Sequence, residues 1–262
     1  MAYRIYQVDS FCKDLFSGNP AAVCPLENWL EDQTMKNIAA ENNLAETTFY
    51  VKEKGGFRIR WFTPEMEIDL CGHATLAAAH VLFTHEGFVG NAISLASCSG
   101  ELKVSKKGDQ LTLDFPADQI KQVEVTADML QWFSAKPIEA YKGRSDYMLV
   151  FRSEAEVAGI RADLAVIGSL TGCRGVIITA KGDTVDFVSR FFAPQIGIPE
   201  DQVTGSAHTT LTPYWSQRLL QSEFEAIQLS PRKGYLHCKH AGERIEISGQ
   251  AKTYMIGEIF LK

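Results

Sequence analysis

The sequence predicts an α+β protein made of two similar lobes, and three observations carry that reading. Strand-like runs outnumber helical ones along the whole chain. Many follow one another across short glycine turns, as the strands of hairpins do. A segment that starts near residue 57 returns near residue 185 with the same order of elements.

The strands come first. Runs that alternate, or that are rich in β-branched and aromatic residues, cover 4–8, 46–51, 57–62, 93–98, 101–105, 110–115, 146–151 and 175–180. Others cover 184–192, 226–230, 235–240, 244–248 and 253–261. Ser99-Gly100, Lys107-Gly108-Asp109 and Ala241-Gly242 read as hairpin turns. Helical spacing is rarer. Leu30, Met35, Ile38 and Ala39 predict one helix, and 74–83, 163–170 and 207–220 predict three more. A short helix through Met129–Phe133 is expected, with Thr126 as its cap.

The repeat organises these elements. Arg60-Trp61-Phe62-Thr63-Pro64 ends one strand, and Arg190-Phe191-Phe192-Ala193-Pro194 ends another. A loop then leads to Gly72-His73-Ala74 in the first copy and to Gly205-Ser206-Ala207 in the second, each opening a helix. Three strands in hairpin order follow each helix, and a helix and a strand precede each copy. A period above one hundred residues is too long for a solenoid and implies duplicated lobes. We expect lobes at 1–118 and 119–262, with the final strand, 251–262, able to return to the first lobe.

Composition narrows the function. The net charge of −6 argues against a nucleic-acid partner. Six cysteines lack CxxC spacing, so no zinc site is expected, and no metal at all. The start, MAYRIYQVDSF, enters a strand pattern at once and does not read as a signal peptide. The longest apolar stretch is too short to cross a bilayer. A cytoplasmic protein with reduced thiols is expected.

The paired glycine motifs point to a small-molecule site. The first turn of a helix has amide groups without intrahelical partners, and the helix dipole makes that end positive. Glycine allows a ligand close to the backbone. Such an end accepts anions. Two of them across a cleft between lobes would grip one small carboxylate from both sides.

These residues carry a resemblance. Gly18-Asn19-Pro20-Ala21-Ala22-Val23, Asn43-Leu44-Ala45-Glu46-Thr47-Thr48-Phe49, Asp69-Leu70-Cys71-Gly72-His73-Ala74-Thr75-Leu76-Ala77 and Glu200-Asp201-Gln202-Val203-Thr204-Gly205-Ser206-Ala207 resemble, in order, four motifs of the PhzF family. That family is similar in fold to diaminopimelate epimerase and proline racemase. The resemblance implies two pseudo-symmetric lobes, each a mostly antiparallel sheet wrapped around a central helix. It also implies a homodimer and an isomerase without cofactor or metal. Its best-known member isomerises trans-2,3-dihydro-3-hydroxyanthranilate by moving a proton with a glutamate. By matching motif, Glu46 is that acid/base residue. His73, Asp201, Gly72, Gly205 and Ser206 are implied to hold the substrate. The sequence departs from the family pattern at Ala45, at Gln202 and over 229–234.

Spacing alone leaves Glu46 open to being a helix-end surface residue. A carboxyl group serves as both base and acid when burial brings its pKa toward neutrality. At the first turn of a helix, His73 is expected to be neutral. Asp201, at such a turn, is expected to stay ionised and either to cap its loop or to orient a partner. The main rival chemistry is epimerisation by two thiols. Cys71 could supply one, but its equivalent in the second copy is Thr204, too weak a base. His237, Cys238 and His240 fall on both faces of a strand and do not form a metal set. The alternative to an isomerase is a non-catalytic protein that binds a small molecule in the same cleft. A protein with a purely structural or partner-binding role would have no polar cleft.

Overall fold

A computed structural model describes residues 1–261. In chain order its elements are β1 (Ala2–Ser10), β2 (Asn19–Leu26), α1 (Asp32–Asn42), β3 (Glu46–Glu53), β4 (Gly56–Phe62), β5 (Glu67–Ile68), α2 (Gly72–Thr84), β6 (Ala92–Ser97), β7 (Gly100–Lys107) and β8 (Gln110–Pro116). There follow β9 (Lys121–Val123), β10 (Glu139–Lys142), β11 (Asp146–Val150), α3 (Glu154–Gly159), α4 (Leu164–Gly168), β12 (Gly175–Lys181), β13 (Phe187–Ala193), β14 (Ile198–Asp201) and α5 (Gly205–Leu219). The chain ends with β15 (Glu223–Gln228), β16 (Gly234–Ala241), β17 (Arg244–Gly249) and β18 (Ala251–Phe260). The helix expected at 129–133 is a single 3₁₀ turn, Met129–Gln131. Among the described residues no helix is long and apolar enough to cross a membrane.

The chain divides into two compact units. One is residues 1–114 with the C-terminal stretch from 248, and the other is 115–247. The boundary expected at 118/119 therefore falls at 114/115, and the final strand belongs to the first unit. The cause is β1. β18 runs antiparallel to it along its full length, from Phe260 opposite Ala2 to Ala251 opposite Ser10. Ile259 and Leu261 also pack, with Tyr3, against the core that α1 covers through Met35, Ile38 and Ala39.

In the first unit β18, β1 and β2 are antiparallel neighbours, β2 is parallel to β3, β3 antiparallel to β4, and β4 parallel to β6. β7 and β8 continue antiparallel. The second unit repeats that order. β9, β10 and β11 are antiparallel, β11 is parallel to β12, β12 antiparallel to β13, and β13 parallel to β15, which β16 continues. A parallel pair needs a crossover. The two crossovers of each unit are where its helices sit: α1 and α2 in the first, α3–α4 and α5 in the second.

α2 has almost no polar face. Residues 73–79, Val81 and Leu82 are all buried, and the helix packs on β1, β2 and β3. Four alanines let the strands approach it closely. α5 is the counterpart in the second unit, buried from Thr210 to Trp215 and at Gly205, Ala207 and His208.

The repeated arginine has a structural explanation. Arg60 grips Glu67 with a two-pronged fork, Nε to Oε1 at 2.7 Å and Nη2 to Oε2 at 2.6 Å. Arg190 grips Glu200 in the same way, at 2.7 and 2.9 Å. Each guanidinium lies over the phenylalanine two residues on, Phe62 at 5.2 Å and Phe192 at 4.9 Å. The forks tie β4 to β5 and β13 to β14, the short strands that lead to the two helix openings.

Candidate active site

Glu46 becomes buried through local chain geometry. α1 ends at Asn43, which takes the left-handed conformation (φ 48°) that turns the chain back toward the sheet. The chain then enters β3 at Glu46, between β2 and β4. Side chains alternate along a strand, so Glu46 shares a face with Thr48. The Thr48 hydroxyl donates to the Ala74 carbonyl of α2 at 3.3 Å. That face therefore looks at the first turn of α2, and Glu46 meets His73 there.

Glu46 and His73 are each 4% exposed, and Oε2 lies 3.0 Å from Nε2. On its other side His73 Nδ1 is 3.1 Å from Asn19 Nδ2 and 3.5 Å from Cys71 Sγ. Ser10 donates to the His73 carbonyl at 2.8 Å. The GNPAAV motif thus supplies a contact to the histidine. Gly18 (φ +71°) makes the approach possible, because a Cβ there would sit 2.1 Å from the Ser10 carbonyl oxygen. A primary amide suits a proton-exchanging histidine. It donates through Nδ2 to a bare ring nitrogen, or accepts through Oδ1 from a protonated one.

The electrostatics correct the expected neutral His73. Full burial disfavours the imidazolium, but the Glu46 carboxylate, with the Cys71 sulfur as a second hydrogen-bond acceptor, outweighs it and raises the pKa well above 6.5. A counter-charge at 3.0 Å exceeds the pull of a helix end. Burial, then the Glu46 charge, pushes the Cys71 thiol up to about 11, with His73 working against that rise. Cys71 is therefore a protonated thiol near neutrality, and a poor base for two-thiol chemistry. Glu46, Cys71 and His73 also bring possible metal-ligand atoms within 4.8 Å of one another, a juxtaposition the sequence did not suggest.

The second unit has its own network around the opening of α5. Thr204 stands at the N-cap, as Cys71 does in α2, and neither side chain caps its helix. Neither helix has an acidic residue in its first turn. The Thr204 hydroxyl instead donates to Asp201 Oδ2 at 2.6 Å. Buried Gln228 staples the loop, accepting from the Thr204 amide and donating to the Asp201 carbonyl, both at 2.8 Å. His208 donates through Nδ1 to the Thr204 carbonyl at 2.9 Å, and burial lowers its pKa to about 4. Ser206 accepts from Arg174 Nη1 at 2.9 Å. Arg174 forks onto buried Asp146 and lies 5.1 Å over the Phe191 ring.

Glu46, Gly72 and His73 thus come together in the first unit, and Asp201, Gly205 and Ser206 in the second. Sequence reasoning gave no role to Asn19, Ser10, Arg174, Asp146 or Gln228. Only Asn19 carried a signal, as part of a quoted motif. Two departures from the family pattern prove to be one feature. The Gln202 carbonyl accepts from Ser230, Gln202 Oε1 accepts from the Arg232 amide at 3.3 Å, and a Cβ on Gly234 would run into Val203.

A family model described as phenazine biosynthesis-like protein matches residues 8–257. The chain belongs to this PhzF family. Among its PhzF-family relatives, an uncharacterized isomerase of Pseudomonas aeruginosa is 46% identical over 261 residues, with both chains covered in full. The crystal structure of a PhzF-family protein from Enterococcus faecalis matches with a TM-score of 0.97 and 47% identity, again over all of both chains. A hydroxyproline epimerase from Agrobacterium vitis, solved with trans-4-hydroxy-L-proline bound, matches with a TM-score of 0.64 over 98% of this chain and 92% of its own. It is 9% identical, and the likeness is one of fold alone. The expected epimerase-like α+β fold is therefore the fold of this PhzF-family chain.

Proposed function

We propose that the protein is an isomerase that moves a proton on a small, carboxylate-bearing metabolite, with Glu46 as its acid/base group. The observation that carries this reading is the buried contact between Glu46 and His73 at 3.0 Å. A carboxylate that takes a proton from carbon must later return it to another atom of the same molecule. Burial keeps bulk water from exchanging that proton, and His73 tempers the negative charge without leaving the site. Nothing is consumed in such a shift, so substrate and product differ only in where one hydrogen and one double bond lie. The family resemblance supports a reaction that needs no cofactor.

The substrate is proposed to resemble trans-2,3-dihydro-3-hydroxyanthranilate. Gly72, Gly205 and Ser206 are proposed to bind its polar groups. The support is that both helices open without a side-chain cap or a first-turn acid, leaving amides for an anion. Asp201 is proposed to accept a hydrogen bond from an amine or hydroxyl. Gln202, a departure from the family pattern, is hydrogen-bonded to Ser230 and Arg232 beside Asp201, which supports a relative of that compound as the substrate.

The test is a panel of cyclic amino and hydroxy acids, including that dihydro-hydroxyanthranilate, assayed with wild type and Glu46→Gln. Turnover is expected with wild type on at least one member, and a loss of about 10³-fold in the variant. Equal activity of the variant overturns the assignment of Glu46. Binding of panel members without turnover favours the non-catalytic alternative.

A further inference from the structure

The proton chemistry uses one end of α2, and the other end carries a separate feature. Thirteen residues, or about 20 Å of helix, separate Gly72 from Thr84. Beyond Thr84 a groove of about 630 Å³ opens in the first unit, between the β3–β4 hairpin and the loop that follows α2. It includes aromatic residues Tyr50, Phe57 and Phe88. Tyr50 is only 4% exposed, and among the described residues its buried hydroxyl has no hydrogen-bond partner. Buried hydroxyls are almost always satisfied. Neither stability nor the proposed isomerisation accounts for this one.

The charge around the groove indicates what would satisfy it. Glu27, Glu53 and Glu86 line it against a single Lys52. The helix end that faces it is the negative one, and α2 has no lysine or arginine in its last turn. Glu86, at the groove's wall, is held to the first unit's core by the Tyr6 hydroxyl, which donates to Oε1 at 2.8 Å. A carboxylate ligand would be repelled here, and a neutral one would leave the acids unused. A cation with an apolar body matches every part. Its charge meets the carboxylates and the helix end, an N–H donates to the Tyr50 hydroxyl oxygen, and its body lies against aromatic faces.

We propose that this groove is a second ligand site, which takes a small aryl-alkyl ammonium ion. Calorimetric titration of the full chain with phenethylamine (protonated at pH 7), 2-phenylethanol and 3-phenylpropionate tests it. The amine is expected to bind saturably and about tenfold more tightly than either analogue. Glu86→Gln and Tyr50→Phe should each weaken it several-fold, and Glu53→Gln, on an exposed residue, serves if either variant is unstable. Methyl NMR signals of Leu26, Leu82 and Val89 should move on titration. Glu46→Gln should leave the affinity unchanged, so this site stands or falls apart from the isomerase reading. Equal affinity for the three probes, absence of saturable binding, or methyl shifts confined to residues outside the groove overturns the proposal.

Discussion

His73 and Cys71 decide how the first unit's polar cluster behaves. With Glu46 beside it, His73 holds its proton to a pH well above the ordinary 6.5. A histidine whose pKa rises on folding stabilises the fold fully below its unfolded value, and that contribution is lost as pH climbs through the folded value. Wild type should therefore lose melting temperature above about pH 6.5 along a slope that His73→Gln lacks. Superimposable pH profiles would remove the charged pair. Cys71 points the other way. Its thiol, pushed up to about 11, is not a catalytic base. Cys71→Ala should change kcat by less than about tenfold, whereas loss of a general base costs about 10²–10⁴. A drop of the latter size in the Cys71 variant would revive the thiol mechanism. Glu46 itself was not legible from spacing, because a glutamate after a helix is commonly solvated. What buries it is a register, Glu46 opposite Ala21 on β2, that no local pattern announces.

At the scale of elements, the duplicated Arg-aromatic-Phe-x-Pro sequence marks a fold device and only indirectly a site. The arginines hold the short strands β5 and β14 that aim the chain into α2 and α5. Arg190 also donates to the carbonyls of Val157 and Ile160, so it secures α3 as well. Arg190→Met strands a mostly buried carboxylate and two carbonyls, and should cost about 3 kcal/mol in urea unfolding. Arg60→Met should cost less, because its carboxylates Asp32 and Glu67 are better solvated at 75% and 32% exposure. Equal losses would mean that the two forks are not graded by burial. α1, α2, α5 and the hairpin strands were legible because their periodicity is strong, whereas the pattern at 163–170 yields only the five-residue α4 and the six-residue α3 is too short to show one. β2 was not, since Pro20 and Pro25 obscure a strand pattern. β9, β10 and β14 are only three or four residues each, too short to show a period. The run expected at 184–192 starts later, at Phe187, because 182–186 form a turn closed by Asp186.

For the whole molecule, the duplication was legible in the order of elements, and each unit repeats the same sequence of antiparallel and parallel pairs. The fate of the C-terminal strand was less so, since strand pairing over 250 residues leaves no local trace. Met1 and Leu261 meet through paired backbone bonds of 2.6 and 3.0 Å, and Thr253 bridges His80 and His85 at 2.9 and 2.7 Å. Truncation after Gln250 should therefore lower the urea midpoint by at least about 1 M; an unchanged midpoint would show that β18 is dispensable. The most direct test of the proposed activity is turnover in D₂O, followed by proton NMR, on the best substrate of the panel. Wild type is expected to yield product that largely keeps the substrate's own hydrogen at the carbon that receives the proton, because the buried carboxyl returns it without exchange with solvent, and Glu46→Gln to yield no product at a comparable rate. Full-rate product formation by Glu46→Gln, with the same labelling, would contradict proton transfer by Glu46.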